Sequence, residues 1–259
     1  MEFTAAEVSV FLALGTAALF AGFIDAVVGG GGLIQIPALF TTLPNEVPAT
    51  LFGTNKFSSV FGTSNAAWRY ARRVNMPWRT TLPAAFAAFA FSYLGAAAVA
   101  WMPPELLRPL ILALLIGAAV YTFARSEFGA IHRPQHTGRR EFIYALIVGG
   151  AIGFYDGFFG PGTGSFLIFL FIRFFGFDFL HASAASKVVN VATNLAAMGY
   201  FLPNGHILLG LAILMATCNV LGSLLGTHLA LRHGSGFVRK VFLCVVSLFI
   251  VKFAYDTFA

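Results

Sequence analysis

Apolar residues run in long, unbroken stretches from Val8 to the C-terminus, separated by short polar or basic loops. A helix needs about 20 such residues to cross the hydrocarbon of a bilayer. The runs are continuous and rich in Ala, Leu, Gly and Phe instead of alternating, which argues against a transmembrane β-barrel. The first half predicts apolar segments at 8–28, 33–43, 49–68, 81–101 and 106–124, and the second half at 142–159, 166–175, 182–201, 207–231 and 237–255. In each half the second segment is too short to span comfortably.

The two halves resemble each other. GFIDAVVGGGGLIQIPALF from Gly22 and GFYDGFFGPGTGSFLIFLF from Gly153 align at a shift of 131 residues (153 − 22). Without a gap, the same shift places Asp25 on Asp156, Lys56 on Lys187, Ser92 on Ser223, Gly95 on Gly226 and Arg108 on Arg239. The expected architecture is a single all-α membrane domain over 1–259, with one repeat at 1–125, a cytoplasmic linker at 126–140 and a second repeat at 141–259.

Basic loops set orientation, because Lys and Arg collect on the cytoplasmic side. Arg69, Arg72, Arg73 and Arg79 fill one loop, and Arg125, Arg133, Arg139 and Arg140 fill the linker. The loop around Asn204 is neutral where its counterpart is basic, and the loop carrying Arg232, Arg239 and Lys240 is basic where its counterpart is not. That inversion predicts an odd number of crossings per half and inverted repeats of about five segments each, with both termini outside, a recurrent design of secondary transporters. The alternative is eight full spans with two re-entrant segments.

Composition agrees with the pattern. Of 259 residues, 58% are hydrophobic and only 10% charged, against about 25% charged in soluble domains; the mean hydropathy is +0.82. The net charge of +6 sits largely in loops, so it reads as topology and gives no reason to expect nucleic acid. The N-terminus has Glu2 and Glu7 and no basic residue before the first apolar run, unlike a cleavable signal peptide. Cys218 and Cys244 read as buried packing thiols, and Trp68, Trp78 and Trp101 as an interfacial belt.

Candidate chemistry lies where polar groups interrupt apolar runs. Gly29 to Gly32, and Gly160, Pro161 and Gly162, break helices at membrane depth, where free backbone must be buried in protein or line a wet cavity. Each restart aims N–H groups and a positive dipole end into that space, so Gly30, Gly31, Gly32, Gly162, Thr163, Gly164 and Ser165 are candidate anion ligands, with Gln35 beside the first tip. Close packing of small residues is the plainer account of such glycines. Lys56 and Lys187 lie inside apolar stretches where an unpaired charge is costly; an anionic substrate, or Asp25 and Asp156, would pair them. Asn55, Asn190 and Asn194 add hydrogen-bond donors, as do Thr54, Ser58, Ser59, Ser186 and Thr193. Asp25 and Asp156 are candidates for coupling, by carrying a proton, or for static ion pairs. Arg108 and Arg239 read as interfacial anchors and Arg173 as a steering charge. His132 and His136 have no third ligand for zinc, and no metal, cofactor or hydrolytic constellation is expected.

With both Gly-rich motifs in place, the chain resembles the TauE/SafE family, also called the sulfite exporter or TSUP family. The likeness rests on GFIDAVVGGGGLIQIPAL followed by LFGTNKFSS, and on GFYDGFFGPGTGSFLIF followed by ASAASKVVN. It implies a transporter of small sulfur-containing anions, such as sulfite, thiosulfate or sulfonates, in the bacterial inner membrane. Four glycines in the first repeat become Gly-Pro-Gly-Thr in the second, so the two half-sites are not chemically equivalent. The alternatives are a passive anion channel and a membrane enzyme or assembly factor.

Overall fold

The computed structural model describes residues 5–101, 103 and 138–258. The expected segment at 106–124, with Arg108, Arg125, His132, Arg133 and His136, lies outside the described residues, as does the Arg239 side chain. The described residues form helices α1 (Ala5–Val28), α2 (Gly32–Thr42), α3 (Pro48–Ala71), α4 (Trp78–Trp101), α5 (Arg139–Phe158), α6 (Thr163–Phe175), α7 (Phe179–Phe201) and α8 (Leu209–Phe258). Non-helical backbone at Gly234 breaks α8 between the two expected segments. Helix α5 takes in Arg139 and Arg140, so the expected linker at 126–140 ends inside a helix.

Among the described residues four helices, α1, α4, α5 and α8 over Leu209–Val238, are long and apolar enough to cross a membrane. Helices α3 and α7 have the length but bury polar residues: Thr54, Asn55, Lys56, Ser58 and Thr63 on α3, and Ser186, Lys187, Asn190, Thr193 and Asn194 on α7. Meanwhile Leu82, Phe86 and Phe89 of α4 and Ile213, Leu221 and Leu225 of α8 point outward. Apolar side chains outside and polar ones inside is the arrangement lipid favours. It also corrects the expectation of buried thiols, since Cys218 is half-buried and Cys244 exposed.

Helices α2 and α6 are about 16 and 20 Å long, well short of a bilayer's hydrocarbon core of about 30 Å. Each folds back along its predecessor. Leu39 of α2 joins Leu14 and Ala18 of α1 in one apolar cluster. Phe166 of α6 meets Tyr155 of α5 with ring centroids 5.5 Å apart, and Phe174 meets Tyr144 at 6.4 Å. The chain therefore makes two broken helical hairpins, α1–α2 and α5–α6.

Small residues seat the long helices against one another. Helix α1 runs parallel to α8, with Leu19 on Gly222 and Phe23 on Gly226; α4 runs parallel to α5, with Ala84 on Gly149, Ala88 on Gly153 and Ser92 on Gly157. Buried hydroxyls add cross-links: Ser92 Oγ donates to the Thr193 carbonyl at 2.8 Å, and Ser223 Oγ to the Gly62 carbonyl at 2.6 Å.

Helix α7 starts at a capped turn. The Asp178 carboxylate accepts from the His181 backbone N–H at 2.8 Å and pairs with its ring Nδ1 at 2.9 Å. Burial pushes this carboxyl up, but the His181 hydrogen bonds and charge, with the Ser235 hydroxyl, outweigh it and hold the group below the usual aspartate range. A lowered native value means the cap stabilises at neutral pH and loses its contribution as acid protonates the carboxylate. Asp178→Ala is expected to cost about 1 kcal/mol, read as a lower Tm in detergent at pH 7, with the gap to wild type closing in strong acid.

Candidate functional site

The two hairpins meet tip to tip. Ser165 N–H donates to the Gly29 carbonyl at 3.2 Å and Ser165 Oγ to the Val28 carbonyl at 2.8 Å. Gly29 has φ +76°, and a Cβ there would sit 2.3 Å from the Gly164 carbonyl carbon. Only backbone without a side chain can make this contact. The N–H groups of Gly30, Gly31, Gly32, Gly162 and Gly164 make no backbone hydrogen bond among the described residues, whereas those of Leu33, Ile34 and Thr163 turn to carbonyls of the breaks themselves.

Beside the tips, polar faces of α3 and α7 close over a cavity of about 20 Å³ lined by Asp25, Gly29, Gly32, Asn55, Lys56, Ser59, Thr63, Asp156, Gly160, Thr163, Gly164, Asn190 and Asn194. That is room for about one water molecule. Among the sequence candidates, Gly30, Gly31, Gln35, Gly162, Ser165 and Lys187 are buried but absent from this wall. Gln35 instead donates to Ser58 Oγ at 3.4 Å.

The charges pair across the halves. Lys56 Nζ lies 2.7 Å from Asp156 Oδ1, both side chains almost fully buried. Thr163 Oγ1 donates to the same carboxylate oxygen at 2.6 Å, leaving Asp156 Oδ2 buried with no partner. Gly160 makes room for the ammonium, since a Cβ there would stand 2.8 Å from Nζ. Lys187 Nζ lies 3.4 Å from Asp25 Oδ2 and donates to the Asp25 carbonyl; Thr63 Oγ1 donates to Asp25 Oδ2 at 3.1 Å. Among the described residues no cluster of His, Cys, Asp and Glu could hold a metal ion.

Thr63 is the wall residue that sequence reasoning passed over. It lies two helical turns beyond Lys56 on the same face. It is also the residue that the 131-residue shift aligns with Asn194, which was a candidate; Ser59 aligns with Asn190 in the same way. The signal was present in the 131-residue alignment.

Comparison with known proteins agrees with the architecture. A family model described as "Sulfite exporter TauE/SafE" matches residues 14–253. The chain is 36% identical over 240 residues to "Probable membrane transporter protein ORF9" of Sinorhizobium sp, covering 93% of this chain and 90% of that one. It is 32% identical over 240 residues to "Probable membrane transporter protein YfcA" of Escherichia coli K12, covering 93% and 88%. A Haemophilus influenzae protein described as "Probable membrane transporter protein" is 32% identical over 236 residues, with 91% of each chain covered. No solved structure matches.

Proposed function

The chain belongs to the sulfite exporter TauE/SafE family, a family of multi-pass membrane transporters and not of enzymes, and from that premise we propose that it is a secondary transporter of small sulfur-containing anions. Sulfonates, sulfite and thiosulfate are the candidate cargo, and the bacterial inner membrane is the proposed location. Transport would proceed by alternating access, one broken hairpin rocking against the other, with two inverted repeats as the moving parts.

Internal contacts support the repeat. The pair Lys56–Asp156 becomes Lys187–Asp25 under the 131-residue shift, and the bond Ser92 to Thr193 becomes Ser223 to Gly62. The contact of Gly153 with Ala88 likewise becomes Gly22 with Asn219.

The observation that carries the anion reading is Lys56, a buried ammonium on the wall of a cavity formed where two helix tips present backbone N–H groups. With its carboxylate partner the site is neutral, so a monoanion entering alone would leave a net negative charge in a low dielectric, at a cost of several kcal/mol. A proton arriving with it on Asp156 Oδ2, the unpartnered oxygen, would restore neutrality and release Lys56 to the anion. The charge count thus supports proton-coupled movement. The small cavity and touching tips favour a gated carrier over the channel alternative.

The test is flux into proteoliposomes for sulfite, thiosulfate, sulfoacetate and isethionate, with sulfate and chloride as controls, with and without a pH gradient. Saturable uptake of a sulfur anion that a pH gradient drives uphill supports the proposal. Uptake that is absent for all sulfur anions, or that follows chloride, overturns it. Asp156→Asn is expected to uncouple flux from the pH gradient.

A further inference from the structure

Away from the central site, α3 and α8 border an open cavity of about 950 Å³ lined by Trp68, Arg69, Arg72, Arg73, Leu180, His228, Leu231 and Arg232. Four guanidiniums face it, they stay charged at any physiological pH, and no acidic residue is among the described lining. The nearest acid along the chain from Leu180 is Asp178, already engaged by His181. The cavity is dozens of times the volume of the central one, and far larger than a sulfite or small sulfonate.

Its walls suit an interface. Trp68 is 59% exposed, with the Arg72 guanidinium 4.9 Å from its ring centroid, and an amphipathic indole belongs at headgroup level. Leu180 and Leu231 supply apolar wall beside the charges. Arg69 is tied by a donated bond to the Leu224 carbonyl at 3.3 Å, while Arg72, Arg73 and Arg232 are exposed. The cavity sits at the end of α3 that the basic loops assign to the cytoplasm. Basic pockets between membrane helices on that side take anionic headgroups.

The geometry points to a binding site for the phosphate headgroup of an anionic phospholipid, formed by Arg72, Arg73 and Arg232 with Trp68 as its interfacial edge. It stands independently of the transport reading, because none of these residues lines the central cavity.

Purified protein would be equilibrated with mixed micelles of phosphatidylcholine and diphosphatidylglycerol, and retained lipid counted by native mass spectrometry. Wild type is expected to keep diphosphatidylglycerol in preference to phosphatidylcholine, and R72Q/R73Q/R232Q to lose about a hundredfold in retention. The single variants Arg72→Gln and Arg232→Gln, each at an exposed position, are expected to lose part of it and serve if the triple variant does not fold. Arg79→Gln with Arg140→Gln removes equal-signed charges outside the cavity and is expected to leave retention unchanged. Three results would overturn the assignment: equal retention by wild type and the cavity variants, equal loss in the Arg79 and Arg140 control, or displacement by millimolar inorganic phosphate, which would transfer the site to a free anion.

Discussion

Lys56→Met is expected to abolish anion transport and to destabilise the protein by about 3–5 kcal/mol, because removing one partner leaves the other charge buried alone. The partner is Asp156, which keeps only the Thr163 hydroxyl once the ammonium is gone. A stability loss alone would not separate a substrate ligand from a strut. The double variant Lys56→Met with Asp156→Asn does, since two neutral groups of similar shape remove the uncompensated charge. It is expected to recover most of the Tm in detergent while anion-induced stabilisation and proteoliposome flux stay absent. Recovery of flux along with Tm would make the pair structural and sink the anion assignment. The equivalent pair on the other side is expected to behave differently. Lys187 lies off the cavity wall with its ammonium held by the backbone and side chain of Asp25, which does line it, so Lys187→Met with Asp25→Asn is expected to weaken the anion response without abolishing it.

That asymmetry marks the limit of what the sequence could supply. The helix breaks were legible because glycine runs interrupted apolar stretches at matched positions, and Lys56, Lys187, Asp25 and Asp156 stood out because charge inside such stretches demands a partner. The 131-residue shift aligns equivalent residues, but equivalence is not contact: it does not say that each Lys would reach the Asp of the other half. Apart from Thr63, which its match to Asn194 marks, the shift could not tell which polar side chains turn inward. Gln35 turns to Ser58 and Ser165 ties the tips together, although both lie beside the breaks, whereas Thr63 reaches the wall from farther along α3. Rotation about the helix axis and side-chain torsions decide these outcomes, and periodicity over a short polar stretch fixes neither. Helix starts also ran ahead of the apolar pattern, by about a turn at Trp78 and Phe179 and by a single residue at Pro48. Capping groups such as Pro at the first turn of α3 and Asp178 before α7 extend a helix beyond its apolar face.

The tip contact yields a second large effect, with a different signature. At Gly29 an alanine meets two obstacles: a left-handed φ costing about 1–2 kcal/mol, and a Cβ 2.3 Å from backbone of Gly164 that no side-chain rotation can relieve. Gly164→Ala brings the same collision from the other hairpin, 2.4 Å from the Gly29 Cα. Each substitution is expected to hold the tips apart and so remove the tip-to-tip contact on which the proposed alternating access depends. The cationic Lys56 and the free N–H groups remain, so thermal stabilisation by the transported anion should persist while flux falls to background. Gly199→Ala, in a helix and with no atom within 4 Å of the added Cβ, is the control and should transport normally. Loss of binding together with flux would mean that parting the tips also dismantles the anion site they border. Wild-type flux from Gly29→Ala would mean that the tips need never touch, and that the proposed cycle runs without their contact.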